Sequence, residues 1–175
     1  MKHINQFITE YIIKKKLDKP IDSSGYKYHP KNKDELIDII SYRISKTEEK
    51  NFNDIDTSKI TDMSYLFAMS NLKNACKMSP LKINNILSEI DINDWDVSNV
   101  ENMEHMFDNS AVTSLNFDFS NWDVSKVTNM DKMFYYCKKF TGKGLENWNV
   151  SKVKNTNDMF WYCHNLKNKP SWYKE

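Results

Sequence analysis

The stretch that decides the fold is Trp122–Phe134, which reads W-D-V-S-K-V-T-N-M-D-K-M-F. Similar stretches lie at Trp95–Phe107 and Trp148–Phe160, and a weaker copy lies at Ile55–Phe67. The three tryptophans that begin the stronger copies are spaced by 27 and 26 residues. Repetition at a fixed period of roughly 20 to 50 residues is typical of proteins built from stacked structural units. The sequence therefore predicts a repeat protein.

Each copy contains a serine followed by apolar residues at helical spacing. In the second copy, Ser98 precedes Val100, Met103, Met106 and Phe107. A serine can accept unpaired amides at the start of a helix, and apolar residues three and four apart form one helix face. The pattern predicts a helix of about ten residues in each copy. The expected core columns are Val100, Val127, Val153, Met103, Met130, Phe107, Phe134 and Phe160.

Alternating apolar and polar residues precede two of the copies. Ile90 and Ile92 lie upstream of the second copy, and Leu115, Phe117 and Phe119 lie upstream of the third. Alternation with a period of two residues is typical of a β-strand. One unit is therefore interpreted as strand, turn and helix, and the predicted fold class is α/β. Stacked units would form a parallel sheet on one side and a layer of helices on the other.

The extended pattern W-D-V-S-x-V-x-x-M-x-x-M-F-x-x-C-x-x-F, fullest at Trp122–Phe140, resembles the BspA-like leucine-rich repeats. The resemblance covers residues 51–167 and is weaker where Thr156 replaces Met and Ile55 replaces Trp. It implies a short leucine-rich-repeat-like solenoid of about four repeats, used for protein or surface recognition and without a shared catalytic site. The N-terminal stretch also resembles leaders of short phage-encoded members.

One domain is predicted, which consists of a helical N-terminal cap over residues 1–50 and the repeat solenoid over residues 51–175. Ile4–Leu17 carries an apolar face and predicts one helix, and a second helix is predicted from Asn32 to about Lys46. The first helix is expected to cover the first repeat, since terminal repeats need a cap. Docking on a partner or a membrane is the alternative.

Two further segments lie outside the repeated pattern. Ser79 followed by Pro80 predicts an inserted helix near residues 79–88, because serine caps helices and proline is favoured at their first position. Insertions of this kind often carry the specificity of a repeat protein. The tail that contains Trp172 is interpreted as a C-terminal cap, with a free recognition tail as the alternative.

The charge and hydropathy of the chain limit its partners. Its 175 residues carry a net charge of +1, so nucleic acid is not expected as a partner. The net charge is +3 over residues 1–50, −7 over residues 51–134 and +5 over residues 135–175. No run approaches the roughly 20 apolar residues of a membrane-spanning helix, and no signal peptide is recognised. We expect no membrane insertion and a cytoplasmic or virion-associated location.

No catalytic, metal-binding or cofactor-binding residue is predicted. The four histidines lie in unrelated contexts, and three glycines are too few for a phosphate-binding loop. Cys76, Cys137 and Cys163 are too few for a disulfide framework. Cys137 and Cys163 each follow the motif phenylalanine by three residues and are expected to be buried thiols in adjacent repeats. The chain is expected not to be an enzyme and to need no cofactor.

Acidic and amide residues directly follow the first residue of each copy. They are Asp56, Asp96, Asp123 and Asn149. Stacked aspartates can bind calcium, but the spacing of glycine-rich calcium repeats is absent here. We expect these side chains to close the corner of each unit by accepting hydrogen bonds from neighbouring amides, as Asp and Asn do in turns.

The positions two and four before each copy are predicted to point outward. The partner-binding candidates at these positions are Asn51, Asn53, Asp91, Asn93, Asp118, Ser120 and Glu146, with Gly144 in the remaining place. Asp91, Asp118 and Glu146 are expected to align and to favour a basic protein surface. The predicted function is a non-enzymatic protein–protein interaction module. The alternatives are a phage- or mobile-element-encoded inhibitor of a host protein and a virion structural or accessory component; the partner and the oligomeric state are left open.

Overall fold

The computed structural model describes residues 21–47, 49–111 and 117–174. The helix predicted at Ile4–Leu17 lies outside the described residues. Within them, no helix is both long enough and apolar enough to cross a membrane. The α-helices of the described part are α1 at Lys33–Lys46, α2 at Met69–Cys76 and α3 at Pro80–Leu87.

The four sequence copies form a stack of parallel coils. We define coil 1 as residues 55–69, coil 2 as residues 95–109, coil 3 as residues 122–136 and coil 4 as residues 148–162. Single parallel bridges join successive coils, and they involve Asp62, Asn102, Asn129 and Asn155 in that order. The repeat period therefore corresponds to one circuit of the chain around a shared core.

The predicted α/β fold, a leucine-rich-repeat-like solenoid of strand-turn-helix repeats, is wrong. The described residues contain no β-strand and no sheet, and the β-pairing among them consists of isolated bridges such as Asn51 with Asp91. Before coil 3, Phe119–Asn121 forms a short 3₁₀ turn. Asp118 Oδ1 accepts the amide of Ser120 at 3.0 Å. This local hydrogen bond bends the chain before a ladder can extend.

The predicted repeat helices are also absent, because two side-chain hydrogen bonds bend each coil. In coil 2, Asp96 accepts the amide of Ser98 at 2.9 Å, so this serine does not cap a helix. Asn102 then accepts the amide of Glu104 at 3.1 Å. His105 follows with a φ of 52°, in the left-handed region that a right-handed helix excludes. Each coil is a succession of turns, although its apolar spacing is helical.

Both bends recur along the stack. The expected role of the acidic and amide column is confirmed: Asp56, Asp96, Asp123 and Asn149 each accept the amide two residues further on, at 3.1, 2.9, 3.0 and 3.2 Å. The left-handed position is likewise occupied in every coil, by Tyr65, His105, Lys132 and Asp158. The sequence copies therefore encode one conformation.

Backbone amides that a helix would use internally are donated to the next coil. The amide of His105 donates to Asp131 O at 2.8 Å, and that of Phe107 donates to Met133 O at 2.9 Å. Equivalent bonds, at every second residue, join coil 1 to coil 2 and coil 3 to coil 4. Buried amides need hydrogen-bond acceptors, and in this ladder the neighbouring coil provides the acceptors that a helix or a sheet would otherwise supply.

The interior of the stack contains the predicted columns. Phe67, Phe107, Phe134 and Phe160 stack nearly parallel, with ring centroids 5.7, 5.6 and 5.8 Å apart. The predicted burial of the Val, Met and Phe columns is confirmed, except that Val153 is half-buried. The two stacked thiols are confirmed as well: Cys137 Sγ donates to Phe107 O at 2.9 Å, and Cys163 Sγ donates to Phe134 O at 3.0 Å.

A second column consists of the tryptophans. Trp95 Nε1 donates to Phe52 O at 2.9 Å, and Trp148 Nε1 donates to Phe119 O at 3.1 Å. Each bond reaches back to the segment that leads into the preceding coil. The exception is Trp122, whose buried Nε1 has no hydrogen-bond partner. The indole nitrogens of coils 2 and 4 therefore contribute a hydrogen bond to the stack, whereas that of coil 3 does not.

Different elements cover the two ends of the stack. At the C-terminal end, Trp172 stacks on Trp148 with centroids 6.2 Å apart, and its Nε1 donates to Leu145 O at 2.8 Å. The tail thus places a tryptophan where a further coil would begin. At the other end lies α1, which begins directly after Asn32, close to the predicted start, and the side chain of Asn32 caps its first turn. Arg43 of α1 is buried.

Candidate functional site

The predicted partner-binding residues come together as a row formed by the segments that lead into the four coils. Asn51 bridges Asp91, and Asn53 Oδ1 accepts the amide of Asp94 at 3.0 Å. Asn93 Oδ1 accepts the amide of Asp118 at 3.1 Å. The row is half-buried at Asn53, Asp91, Asn93 and Asp118 and exposed at Asn51, Ser120 and Glu146. Its polar side chains therefore bond to the chain itself as well as facing solvent.

The acidic character of this row is partly neutralised. Lys143 Nζ lies 2.8 Å from Asp118 Oδ2, and the amide of Ser120 donates to Oδ1 of the same carboxylate. The hydrogen bond from Lys143, followed by those from Ser120, lowers the pKa of Asp118 to about 2. Asp91 accepts two hydrogen bonds from Asn93, at 3.0 and 2.8 Å. Its role in partner binding stays a prediction.

A second surface, which the sequence did not predict, is formed by the left-handed turns and the residues that follow them. We call it the turn face and define it by Tyr65, His105, Lys132, Tyr135, Tyr136, Trp161 and Tyr162. Tyr65 stacks on His105 with ring centroids 4.7 Å apart. Tyr136 stacks on Tyr162 at 4.5 Å, with an interplanar angle of 7°. Neighbouring coils thus present matching aromatic rings.

The aromatic end of the turn face consists of Tyr135, Tyr136, Trp161 and Tyr162, and its rings are partly exposed to solvent. Trp161 and Tyr162 are 53% and 45% exposed, and their rings lie 5.7 Å apart. Tyr135 and Tyr136 are half-buried beside them, with ring centroids 5.2 Å apart. Burial, followed by the neighbouring Tyr162, raises the pKa of Tyr136. Contiguous exposed aromatic surface of this kind typically marks a binding site.

The charged end of the turn face, around His105 and Lys132, contains a cluster of titratable side chains. Glu104, His105 and Asp131 each place one ligand-type atom within 4.8 Å of the others. His105 Nδ1 lies 2.8 Å from Asp108 Oδ2, and Lys132 Nζ lies 3.3 Å from Asp131 Oδ2. This ammonium group already supplies positive charge beside the carboxylates. The geometry is that of a surface ion-pair network.

Lys132 links the charged and aromatic ends. Its Nζ also lies 3.9 Å from Asp158 Oδ2 in coil 4. The hydrogen bond to Asp131 raises the pKa of Lys132, so its positive charge persists at neutral pH. Tyr65 OH donates to Glu104 at 3.1 Å, which joins coil 1 to the same network. The turn face therefore spans all four coils and offers both charge and aromatic area.

The sequence contained a signal for this surface. The pairs Tyr135-Tyr136 and Trp161-Tyr162 directly follow a core phenylalanine in equivalent positions of two copies. Since the phenylalanine is buried, the two residues after it emerge on the outside of the coil. Large aromatic residues repeated at such positions are informative, because solvent-facing positions rarely need them.

A family model described as "Mycoplasma protein of unknown function, DUF285" matches residues 38–173. No curated protein and no solved structure matches the chain. The matched region includes most of α1, both inserted helices and all four coils. The chain belongs to this family, which is related to the BspA-like repeat proteins.

Proposed function

We propose that the chain is a non-enzymatic protein–protein interaction module that binds a protein partner through the surface of its stack. The observation that carries this proposal is the aromatic end of the turn face. Tyr and Trp are enriched at binding hot spots because they provide large contact areas with few rotatable bonds. Tyr162 is already held in place by stacking on Tyr136, and the ring of Trp161 packs against that of Tyr162 at a tilt. Little side-chain entropy is then lost on binding.

The charged end of the turn face supports selectivity rather than catalysis. Lys132 lies between Asp131 and Asp158, and His105 lies between Tyr65 and Asp108. Exposed charges of alternating sign steer a complementary partner into register and disfavour others. The row from Asn51 to Glu146 is a second candidate contact area, and its internal hydrogen bonds make it the weaker one.

The narrower assignments rest on sequence resemblance. Membership among the BspA-like repeats is supported by the W-D-V-S-x-V-x-x-M-x-x-M-F motif, and the family match is compatible with it. The phage-encoded origin is supported only by the N-terminal stretch, which lies outside the described residues. An inhibitor of a host protein or a virion component would use the same kind of recognition surface.

Site-specific photo-crosslinking tests the proposal. A photoreactive phenylalanine analogue would replace Tyr136 of the full chain, which is then illuminated in extract of the cells that encode it. We expect one predominant crosslinked protein, because the analogue lies in the aromatic end of the turn face. Excess wild-type chain should compete for it, whereas excess Trp161→Ala chain should compete poorly.

Matched positions serve as controls. The same analogue at Lys82, exposed on α3, should give no predominant product, and the analogue at Ser120 reports on the predicted polar row. Equal crosslinking from all three positions would contradict a defined recognition surface. A crosslinked product from Ser120 alone would show that the partner binds the polar row and not the turn face.

A further inference from the structure

The last coil of the stack has an open main-chain edge. In coil 3, the amides of Met130, Lys132, Phe134 and Tyr136 donate to coil 4 at 2.8 to 3.1 Å. The equivalent amides of coil 4 belong to Thr156, Asp158, Phe160 and Tyr162. Within the described part of the chain, none of these four amides has a hydrogen-bond acceptor. Coil 4 therefore presents the same donor row that elsewhere holds the next coil.

The C-terminal tail covers the apolar core of this end but leaves the donor row accessible. Trp172 stacks on Trp148, and Tyr173 packs edge-on against Phe160 with centroids 4.9 Å apart. Between the tail and the donor row lies a groove of about 510 Å³. Thr156, Asp158 and Phe160 line one side of it, and Lys169 and Lys174 line the other. The groove combines main-chain donors with basic side chains.

We propose that this groove binds an acidic protein segment that adds to the stack as a fifth coil, through main-chain hydrogen bonds. The inference deepens the proposed function, on which it rests, by naming the chemistry of the bound segment. Unpaired main-chain edges bind added segments in this way, with side chains providing selectivity. The four amides lie at alternate residues of coil 4, so they would donate hydrogen bonds to carbonyls at alternate residues of the bound segment.

The charge of the groove selects an acidic segment. Residues 135–175 have a net charge of +5, and both lysines of the tail side contribute to it. Among the described residues that line the groove, Asp158 is the carboxylate, and the ammonium group of Lys132, 3.9 Å away, offsets part of its charge. Aligned amide N–H groups add partial positive charge along the same edge. A basic segment would be repelled.

A second copy of the chain does not fit this edge. Two coil 4 edges facing each other would oppose donors to donors, without carbonyl acceptors. Head-to-tail addition would require the free edge of coil 1, and α1 lies there: Lys33 Nζ hydrogen-bonds Asp62 Oδ2 at 3.1 Å and also bonds Ser64 Oγ. The occupant is therefore a segment of a different protein.

The chain itself supplies a probe for the test. A synthetic peptide of residues 99–109 contains Glu101, Glu104 and Asp108, and in the stack this segment accepts the amides of coil 1. We expect the peptide to shift the amide NMR signals of Thr156, Asp158, Phe160 and Tyr162 in the full chain and to slow their exchange with deuterium. In the control peptide, lysine replaces all three acids; it should bind at least about tenfold more weakly.

A charge reversal on the protein provides the second arm. The Lys169→Glu and Lys174→Glu double variant should bind the acidic peptide about tenfold more weakly, with unchanged circular dichroism. Unshifted amides in coil 4 at saturating peptide, or equal binding of the lysine peptide, would overturn the proposal. Concentration-dependent protection of these amides without peptide would overturn it in favour of self-association. Tyr136 lies outside the groove lining, so crosslinking there can succeed while the coil 4 proposal fails.

Discussion

The inserted helices and the coils have similar apolar spacing but different backbones. In α3, Ile83 and Leu87 are four residues apart and buried on one helix face. In coil 2, Met103 and Phe107 have the same spacing and are equally buried, yet the chain between them turns. Side-chain spacing therefore reports which residues meet the core and leaves open how the backbone places them there.

The difference lies in where the backbone amides find acceptors. Ser79 Oγ accepts the amide of Lys82 at 3.4 Å at the start of α3, so a helix can begin and its later amides bond internally. In the coils, Asp and Asn side chains accept the amides two residues further on, and the next coil accepts others. A neighbouring coil thus competes with the helix for the same donors.

The largest expected effect comes from removing a ring at the centre of the stack. Phe134 contacts Phe107 and Phe160 on either side, with centroids 5.6 and 5.8 Å away. Phe134→Ala should lower the free energy of unfolding by about 3–5 kcal/mol, because the neighbouring coils cannot collapse into the cavity. Denaturant titration measures it. Leu81→Ala, at a position 74% exposed on α3, is the control and should change stability by less than about 0.5 kcal/mol.

A glycine substitution should have opposite consequences in the two regions. Lys132 has a φ of 50°, which glycine adopts without strain, whereas Lys73 is exposed in the middle of α2. Lys73→Gly should cost about 0.7 kcal/mol of helix stability. Lys132→Gly should be more stable than that variant by about 1–2 kcal/mol, since it relieves a left-handed conformation. Equal destabilisation by both substitutions would mean that coil 3 is helical.

The tryptophan column provides a smaller comparison within the coils. Trp148→Phe removes the hydrogen bond from Nε1 to Phe119 O, whereas Trp122→Phe removes none. Both indoles are buried, so the loss of apolar area is similar. We expect Trp148→Phe to be the more destabilising by about 1 kcal/mol. Thermal melts of the two variants measure this difference, and identical melts would contradict the unequal bonding.

The smallest effect concerns the junction between the segment before α1 and coil 1. His29 lies 3.0 Å from Asp56 and 2.8 Å from Asp22, and the hydrogen bond to Asp56 is the largest cause of its raised pKa. A raised pKa means that this contribution to stability is fully present below pH 6.5 and is lost as the pH rises through the folded-state pKa. NMR titration of the imidazole should give a midpoint above 6.5. His29→Gln should flatten the dependence of stability on pH in this range, and an unshifted midpoint would contradict the contact.

Much of the packing could be predicted from the sequence, because it depends on local signals that recur. The spacing of the tryptophans revealed the stack, and the Phe134 column revealed its core. The turns were missed because Ser98 followed by Val100 and Met103 fits a helix equally well. One position in the middle of each predicted helix indicated turns instead. It is occupied by Asp62, Asn102, Asn129 and Asn155, which are poor helix formers because their side chains compete for backbone amides.

The candidate surfaces were predictable to a different extent. The row that includes Asp91 and Asp118 does assemble, because its members occupy equivalent places in the segments that lead into successive coils. The pairing of Asp118 with Lys143 could not be foreseen, since it depends on contacts between the segments that precede coil 3 and coil 4. The exposure of Trp161 was not predicted, because this residue belongs to none of the columns for which the motif predicts an environment. Sequence periodicity identifies columns, and only the path of the backbone decides which columns face solvent.

The most direct measurement of the stack of turns is scalar coupling through hydrogen bonds, between amide ¹⁵N and carbonyl ¹³C nuclei. A ladder between coils predicts a coupling from the amide of His105 to the carbonyl of Asp131, and from Phe107 to Met133. A helix in coil 2 would instead couple His105 to Glu101, four residues earlier. Observation of the first pair would establish that each coil is held by its neighbour. Observation of His105 coupled to Glu101 would contradict it.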